Sequence, residues 1–147
     1  MFSISFLLFL HSLLRYLLLL FLAGAAFFAW RGYLLGRPIL NGERMVTIIA
    51  VLLAHVQLVL GVALYAIRYQ AFDQMAEVSR RFWKFEHIGT MIVAVVLITL
   101  GRALSKRARD ERRKQFLIGL TFLIALALIL WAIPWPLTEL GHGREWI

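Results

Sequence analysis

From Met45 to Ile67 the chain carries no Asp, Glu, Lys or Arg, and the same is true from Gln115 to Trp135. A third uncharged stretch runs from His87 to Gly101, and its apolar character extends back, past Glu86 and Lys84, through Phe85, Trp83 and Phe82. The first apolar run, Phe6 to Trp30, is broken only by His11, Ser12 and Arg15. About 20 residues of helix cross a hydrocarbon layer, so runs of this length constrain the fold more than any other feature. Composition agrees. Residues of the set AVILMFWYC make up 62% of the 147 positions, and Asp, Glu, Lys and Arg only 16%. Soluble domains hold about 45–50% of a looser apolar set and about 25% charged residues. No single core of this size buries so much apolar surface, so part of the solvent must be lipid. The expected fold is all-α: one integral membrane up-down four-helix bundle, with transmembrane helices over about 5–30, 45–67, 83–103 and 115–135.

The first run is read as a retained helix, not a signal peptide. It lacks Lys or Arg at its start and places Arg15 inside the apolar region, although Ala23-Gly24-Ala25 resembles a cleavage site. No internal repeat, low-complexity linker or second domain is visible.

The connections set an orientation. Arg31, Arg37 and Arg44 flank the first turn-around, and Arg102, Lys106, Arg107, Arg109, Arg112, Arg113 and Lys114 crowd the last. The other side has Arg68, Arg80, Arg81, Lys84 and Arg144. Basic loops stay cytoplasmic, which places both termini outside, in the periplasm if the membrane is a bacterial inner membrane. Topology thus explains the net charge of +8 and the run from Arg102 to Lys114, and no nucleic-acid partner is expected. The segment from Arg68 to Lys84 is the one long connection. Tyr69, Phe72, Met75 and Ala76 recur there at helical spacing, as in a helix lying along the interface. Trp131 and Trp135 would anchor the last helix at the same level, and Pro134 and Pro136 end it.

The chain has no cysteine, which excludes disulfides, cysteine-ligated iron–sulfur clusters and c-type haem attachment. Its histidines are His11, His55, His87 and His142. Arg15 lies four residues after His11, on the same helix face. An arginine at mid-span costs about 2.5–3.5 kcal/mol on insertion scales, so it should face the bundle interior or an anion. Counting from the external ends at 1.5 Å per residue, His11 and His87 agree in depth to about 3 Å, and His55 lies about 18 Å deep. In an up-down bundle the first and third helices are diagonal. They can hold a b-type haem between two imidazoles without prising neighbours apart. His11 and His87 are therefore the preferred axial ligands, with His55 plus one of them as the alternative pair. Arg15 would neutralise a haem propionate or bond a quinone carbonyl; Arg80, Arg81 and Lys84 would meet propionates at the surface. Small residues at Ala94 and Gly101, on the face of His87, let either a flat cofactor or a neighbouring backbone approach.

Other readings stay open. The histidines can be interhelical hydrogen-bonding groups in a cofactor-free membrane subunit or assembly factor, with Arg15 paired to Glu86. Three of them can bind copper or zinc, which needs all three at one depth and orienting carboxylates around them. His142, between two glycines in a polar tail, reads as solvated. Hydrolytic chemistry has no support, since no H-E-x-x-H motif occurs and no carboxylate lies within an apolar run.

The motifs His11-Ser12-Leu13-Leu14-Arg15, His55-Val56-Gln57-Leu58 followed by Gly61, and Glu86-His87-Ile88-Gly89 together resemble a group of small bacterial four-helix membrane proteins. The ending Ala132-Ile133-Pro134-Trp135-Pro136 is similar to theirs too. Members of the group are sometimes labelled cytochrome b. The resemblance implies the four-helix architecture and a haem, and supplies no reaction. The chain departs from diheme cytochromes b, which place two ligands on each of two helices; no helix here has two histidines, so one bis-histidine haem is expected. The functional expectation is a membrane electron-transfer protein that exchanges electrons with quinone or with a membrane or periplasmic partner subunit. It reads as a redox carrier or as part of an oxidoreductase complex, and less as a stand-alone enzyme.

Overall fold

The structure is a computed structural model and describes residues 3–141. His142 and Arg144 lie outside the described residues. Among the described residues all regular structure is helical. We label the four long helices α1 (Ile4–Leu35), α2 (Asn41–Arg68), α3 (Glu77–Arg107) and α4 (Glu111–Ala132). Each is long and apolar enough to cross a membrane.

Local chemistry sets the helix ends. The Ser3 hydroxyl accepts the Phe6 amide at 3.2 Å and opens α1. Gly36, at φ 64°, closes it in the left-handed conformation that a side chain would oppose. The next helix starts without a polar cap at Leu40, but the Glu43 carboxylate reaches back to the Leu40 amide at 3.1 Å. Asp110 accepts the Arg113 amide at 3.1 Å and opens α4. That helix stops at Ala132 because Pro134 forces Ile133 into extended backbone. The helices therefore overrun the apolar stretches at several ends. A charged residue ends an apolar run without ending a helix, and long basic side chains carry their charge back to water.

The helices pack in a ring, α1 against α2 and α4, and α3 against the same two. α1 and α3 thus face each other across the diagonal. Leu18, Leu22, Ala25 and Ala26 of α1 meet Ala50 and Ala54 of α2, Ala94 and Ile98 of α3, and Ile118, Phe122, Ala125 and Ile129 of α4. Alanine recurs where helices cross because it lets their backbones approach closely. Gly101, Ala94 and Ile98 are buried in this seam, with Gly101 against the Thr121 side chain. That stripe of α3 serves helix packing. The outer faces carry large apolar side chains instead, among them Leu20, Phe27, Leu34, Val59 and Trp131.

The segment between α2 and α3 differs from the expected interfacial helix. It forms a 3-10 turn at Ala71–Gln74, and α3 already begins at Glu77. Phe72 is 5% exposed and stacks on Trp83 at 6.4 Å, so this aromatic turns into the bundle and not toward headgroups. Trp131 is exposed, whereas Trp135 is half-buried and donates its Nε1–H to the Leu130 carbonyl at 2.9 Å. The two tryptophans therefore do different jobs.

Candidate functional site

Near the Arg68–Lys84 end, all four helices line one cavity of about 400 Å³. That size is usual for small-molecule and cofactor sites, about 300–1,000 Å³. His11 and Arg15 enter it from α1, Gln57, Gly61, Tyr65 and Arg68 from α2, and Trp83, His87 and Met91 from α3. α4 closes it with Ile129 and Ile133, followed by Pro134 and Pro136. The diagonal helices thus contribute one histidine each.

His87 is positioned by an irregularity. Residues Phe82–Glu86 form a π-helical turn inside α3, closed by the His87 amide on the Phe82 carbonyl. Such turns recur at functional sites because they re-aim the side chains that follow. The His87 ring packs against Trp83, with centroids 5.2 Å apart, and against Phe82 at 5.7 Å. Its Nδ1 lies 2.9 Å from the Ala132 carbonyl. A carbonyl can only accept, so Nδ1 carries the proton and Nε2 carries the lone pair. Metal-ligating histidines are commonly held this way, with one ring nitrogen donating to a backbone carbonyl.

His11 is held differently. Its ring lies over Gly61, where an added Cβ would sit 3.3 Å from Cε1, so the glycine makes room for the imidazole. Its Nδ1 is buried and has no hydrogen-bond partner. Burying such a group unpaired is costly, which points to a ligand or donor in the cavity. The Gln57 Nε2 donates to the His11 carbonyl at 2.8 Å, and the Gln57 Oε1 is buried without a partner. His11 lies within electrostatic range of both His87 and Arg15.

Arg15 donates to the Tyr16 hydroxyl at 3.1 Å and lies over the Tyr16 ring at 4.8 Å and the Trp135 ring at 5.8 Å. The Glu86 carboxylate, which the sequence offers as a partner for Arg15, is taken by Arg81 at 2.6 Å. Lys84 pairs with Asp73 at 2.6 Å and crosses the Tyr69 ring at 4.1 Å. Arg81 and Lys84 thus have carboxylate partners of their own, and Arg68 joins Arg15 as a cation lining the cavity. Sequence reasoning passed over Arg68 as a topology marker. Its spacing from Gly61 and Tyr65, seven and three residues, places it on their helix face.

His55 is elsewhere. It lies on the exposed face of α2, with Nδ1 2.8 Å from the Val51 carbonyl and Nε2 3.3 Å from the Thr99 hydroxyl. It does not line the cavity. Among the described residues, no group of three His, Cys, Asp or Glu side chains comes together as a metal would require. The copper or zinc reading therefore lacks its third ligand there. No family model matches the chain, and neither do the curated proteins or the solved structures compared with it. The resemblance to labelled cytochromes b rests on the short motifs alone.

Proposed function

We propose that this chain is a multi-pass membrane electron-transfer protein that holds one b-type haem between His11 and His87. The observation that carries this reading is the pairing itself: two imidazoles from diagonal helices line one cavity of cofactor size. The orphaned His11 Nδ1 and the lone pair on the His87 Nε2 give the donor set such a haem takes. Bound there, the haem would supply a one-electron redox couple. The protein's own groups would do the rest. The Ala132 carbonyl holds the His87 tautomer, Gly61 spaces the His11 ring, and Arg15 and Arg68 supply positive charge for propionates or for a quinone carbonyl. Ile129, Ile133 and Met91 would give the haem an apolar flank. Outward-facing leucine, valine and phenylalanine side chains fit a lipid surround, and the positive-inside rule puts both termini in the periplasm of a bacterial inner membrane. A partner subunit or quinone would be the exchange partner.

A second reading is a cofactor-free membrane subunit or assembly factor. The observation in its favour is that His87 and Gln57 already make interhelical bonds to backbone carbonyls. One experiment separates the two. A reduced-minus-oxidised spectrum of protein purified in detergent from haem-sufficient cells should show low-spin b bands at about one haem per chain. His11→Ala and His87→Ala should abolish them with helical content retained, and His55→Ala should not. A flat wild-type spectrum sinks the cytochrome reading.

A further inference from the structure

The opposite end of the bundle carries a second cavity, of about 220 Å³, whose lining shares no residue with the cavity of His11 and His87. It opens among the first turns of α2 and α4 and the last turns of α3. Arg44, Arg102, Lys106 and Lys114 line it, with Glu111 as its carboxylate. That carboxylate is already engaged: Lys114 donates to it, and so does the Ile39 amide at 3.4 Å. Arg44 and Arg102 lie within electrostatic range of each other, two like charges around one hollow. Glu111 offsets part of this charge, acting on Lys114 and Arg44, but four cations line the hollow against that one carboxylate.

Two buried donors sharpen the point. Ser105 is 1% exposed, lines the cavity, and its Oγ has no hydrogen-bond partner. The Arg102 Nε is likewise buried without one. Unpaired buried donors are rare and call for an acceptor. A strongly accepting anion answers all of these at once. A cavity of this size, below the usual range for drug-sized ligands, suits a single phosphoryl group with a few attached atoms.

We propose that this cavity binds a phosphate group through Arg44, Arg102 and the Ser105 hydroxyl. Basic pockets between helices on the cytoplasmic side are where anionic headgroups sit, and the basic side of this chain is the one expected to face the cytoplasm. The same chemistry would accept a free phosphate, so the test has two arms.

Delipidated full-length protein in neutral detergent would be titrated with dioctanoyl phosphatidylglycerol, with phosphatidylcholine of the same chain length, and with sodium phosphate against sodium chloride at equal ionic strength. Native mass spectrometry and the thermal midpoint would read binding. Phosphatidylglycerol binding with phosphate inert identifies a lipid headgroup; phosphate binding with the same variant dependence identifies a free anion. Either way, Arg44→Gln and Arg102→Gln should weaken binding about tenfold or more, and Ser105→Ala about three- to tenfold. Arg109→Gln, in the exposed connection beside the cavity, should leave it unchanged. The proposal is overturned if neither probe binds, or if Arg109→Gln weakens binding as much as Arg102→Gln. Should an arginine variant lose its helical signal, Ser105→Ala decides, since it removes one atom and no charge; unaltered affinity there also overturns the proposal.

Discussion

Replacing Gly32 by alanine puts a methyl group where the Gln115 carboxamide now lies. Gln115 is 1% exposed and donates its Nε2–H to the Arg37 carbonyl, tying α4 to the turn that follows α1. The methyl can be housed only if the carboxamide swings away and gives up that bond inside an apolar seam. A buried amide left unpaired costs about 1–3 kcal/mol. Overpacking a filled core costs about 1–3 kcal/mol as well. The swing that breaks the bond also relieves the crowding, so the two do not simply add. Gly32→Ala should therefore destabilise by about 2–3 kcal/mol. Gln115→Ala alone loses the same bond and leaves a void. In the double variant the new methyl enters that void. Its cost should fall short of the summed single costs by at least about 1 kcal/mol. Titration with sodium dodecyl sulfate in mixed micelles, followed by circular dichroism, measures each corner of the cycle. Additive costs, equal to the sum within about 0.5 kcal/mol, would falsify the claim that methyl and carboxamide compete for one space. Gly32 would then have some other purpose than close approach of α1 to α4.

Two further outcomes can be checked on the same preparation. On the proposed haem ligation, Gly61→Val should displace the His11 ring, whose Cε1 lies 3.3 Å from the position of a new Cβ, and turn the low-spin spectrum high-spin; Gly61→Ala should perturb it far less, and an unaltered valine variant would argue against His11 as a ligand. Glu43→Gln should lower the thermal midpoint, more so at low salt, because the carboxylate takes a two-pronged contact from Arg37, at 3.0 and 2.5 Å, and caps the Leu40 amide. The same carboxylate raises the Arg37 pKa above its ordinary value, so the guanidinium stays charged throughout. A midpoint indifferent to the substitution would remove that contact from the account.

The four helices were legible because an uncharged run of span length has few other fates. Their ends were not, since caps at Gly36 and Asp110 and not hydropathy decide them. The sharing of one cavity by His11 and His87 followed from counting residues inward along their helices, and Arg15 joins them through its four-residue spacing from His11; the same count kept His55 as an alternative, and it does not line the cavity. The inward turn of Phe72 did not follow. An aromatic residue at helical spacing looks the same whether it faces a headgroup or plugs a bundle, and only the 3-10 turn at Ala71–Gln74 tells the two apart. The basic cavity around Ser105 was hidden for a related reason. Arg44 and Arg102 read fully as topology signals, and a lone serine within a helix carries no sequence mark of being unpaired.

The π-helical turn before His87 also has a bearing on how this chain tolerates change in length. An α-helix advances about 100° per residue, so one residue gained or lost rotates everything on one side of it relative to the other. A π turn absorbs a single additional residue locally. Here the carbonyl of Lys84, inside that turn, accepts the Tyr65 hydroxyl at 3.1 Å. Deleting one residue between Phe82 and Glu86 would convert the π turn to regular α-helix and leave both flanks in phase, Arg80 and Arg81 before it and the face bearing His87, Met91 and Val95 after it. The turn is thus a phase buffer between an outer collar and an inner chamber: one residue can be lost there without rotating either against the other, whereas the same loss in the regular helix on either side of it would turn them apart by about 100°.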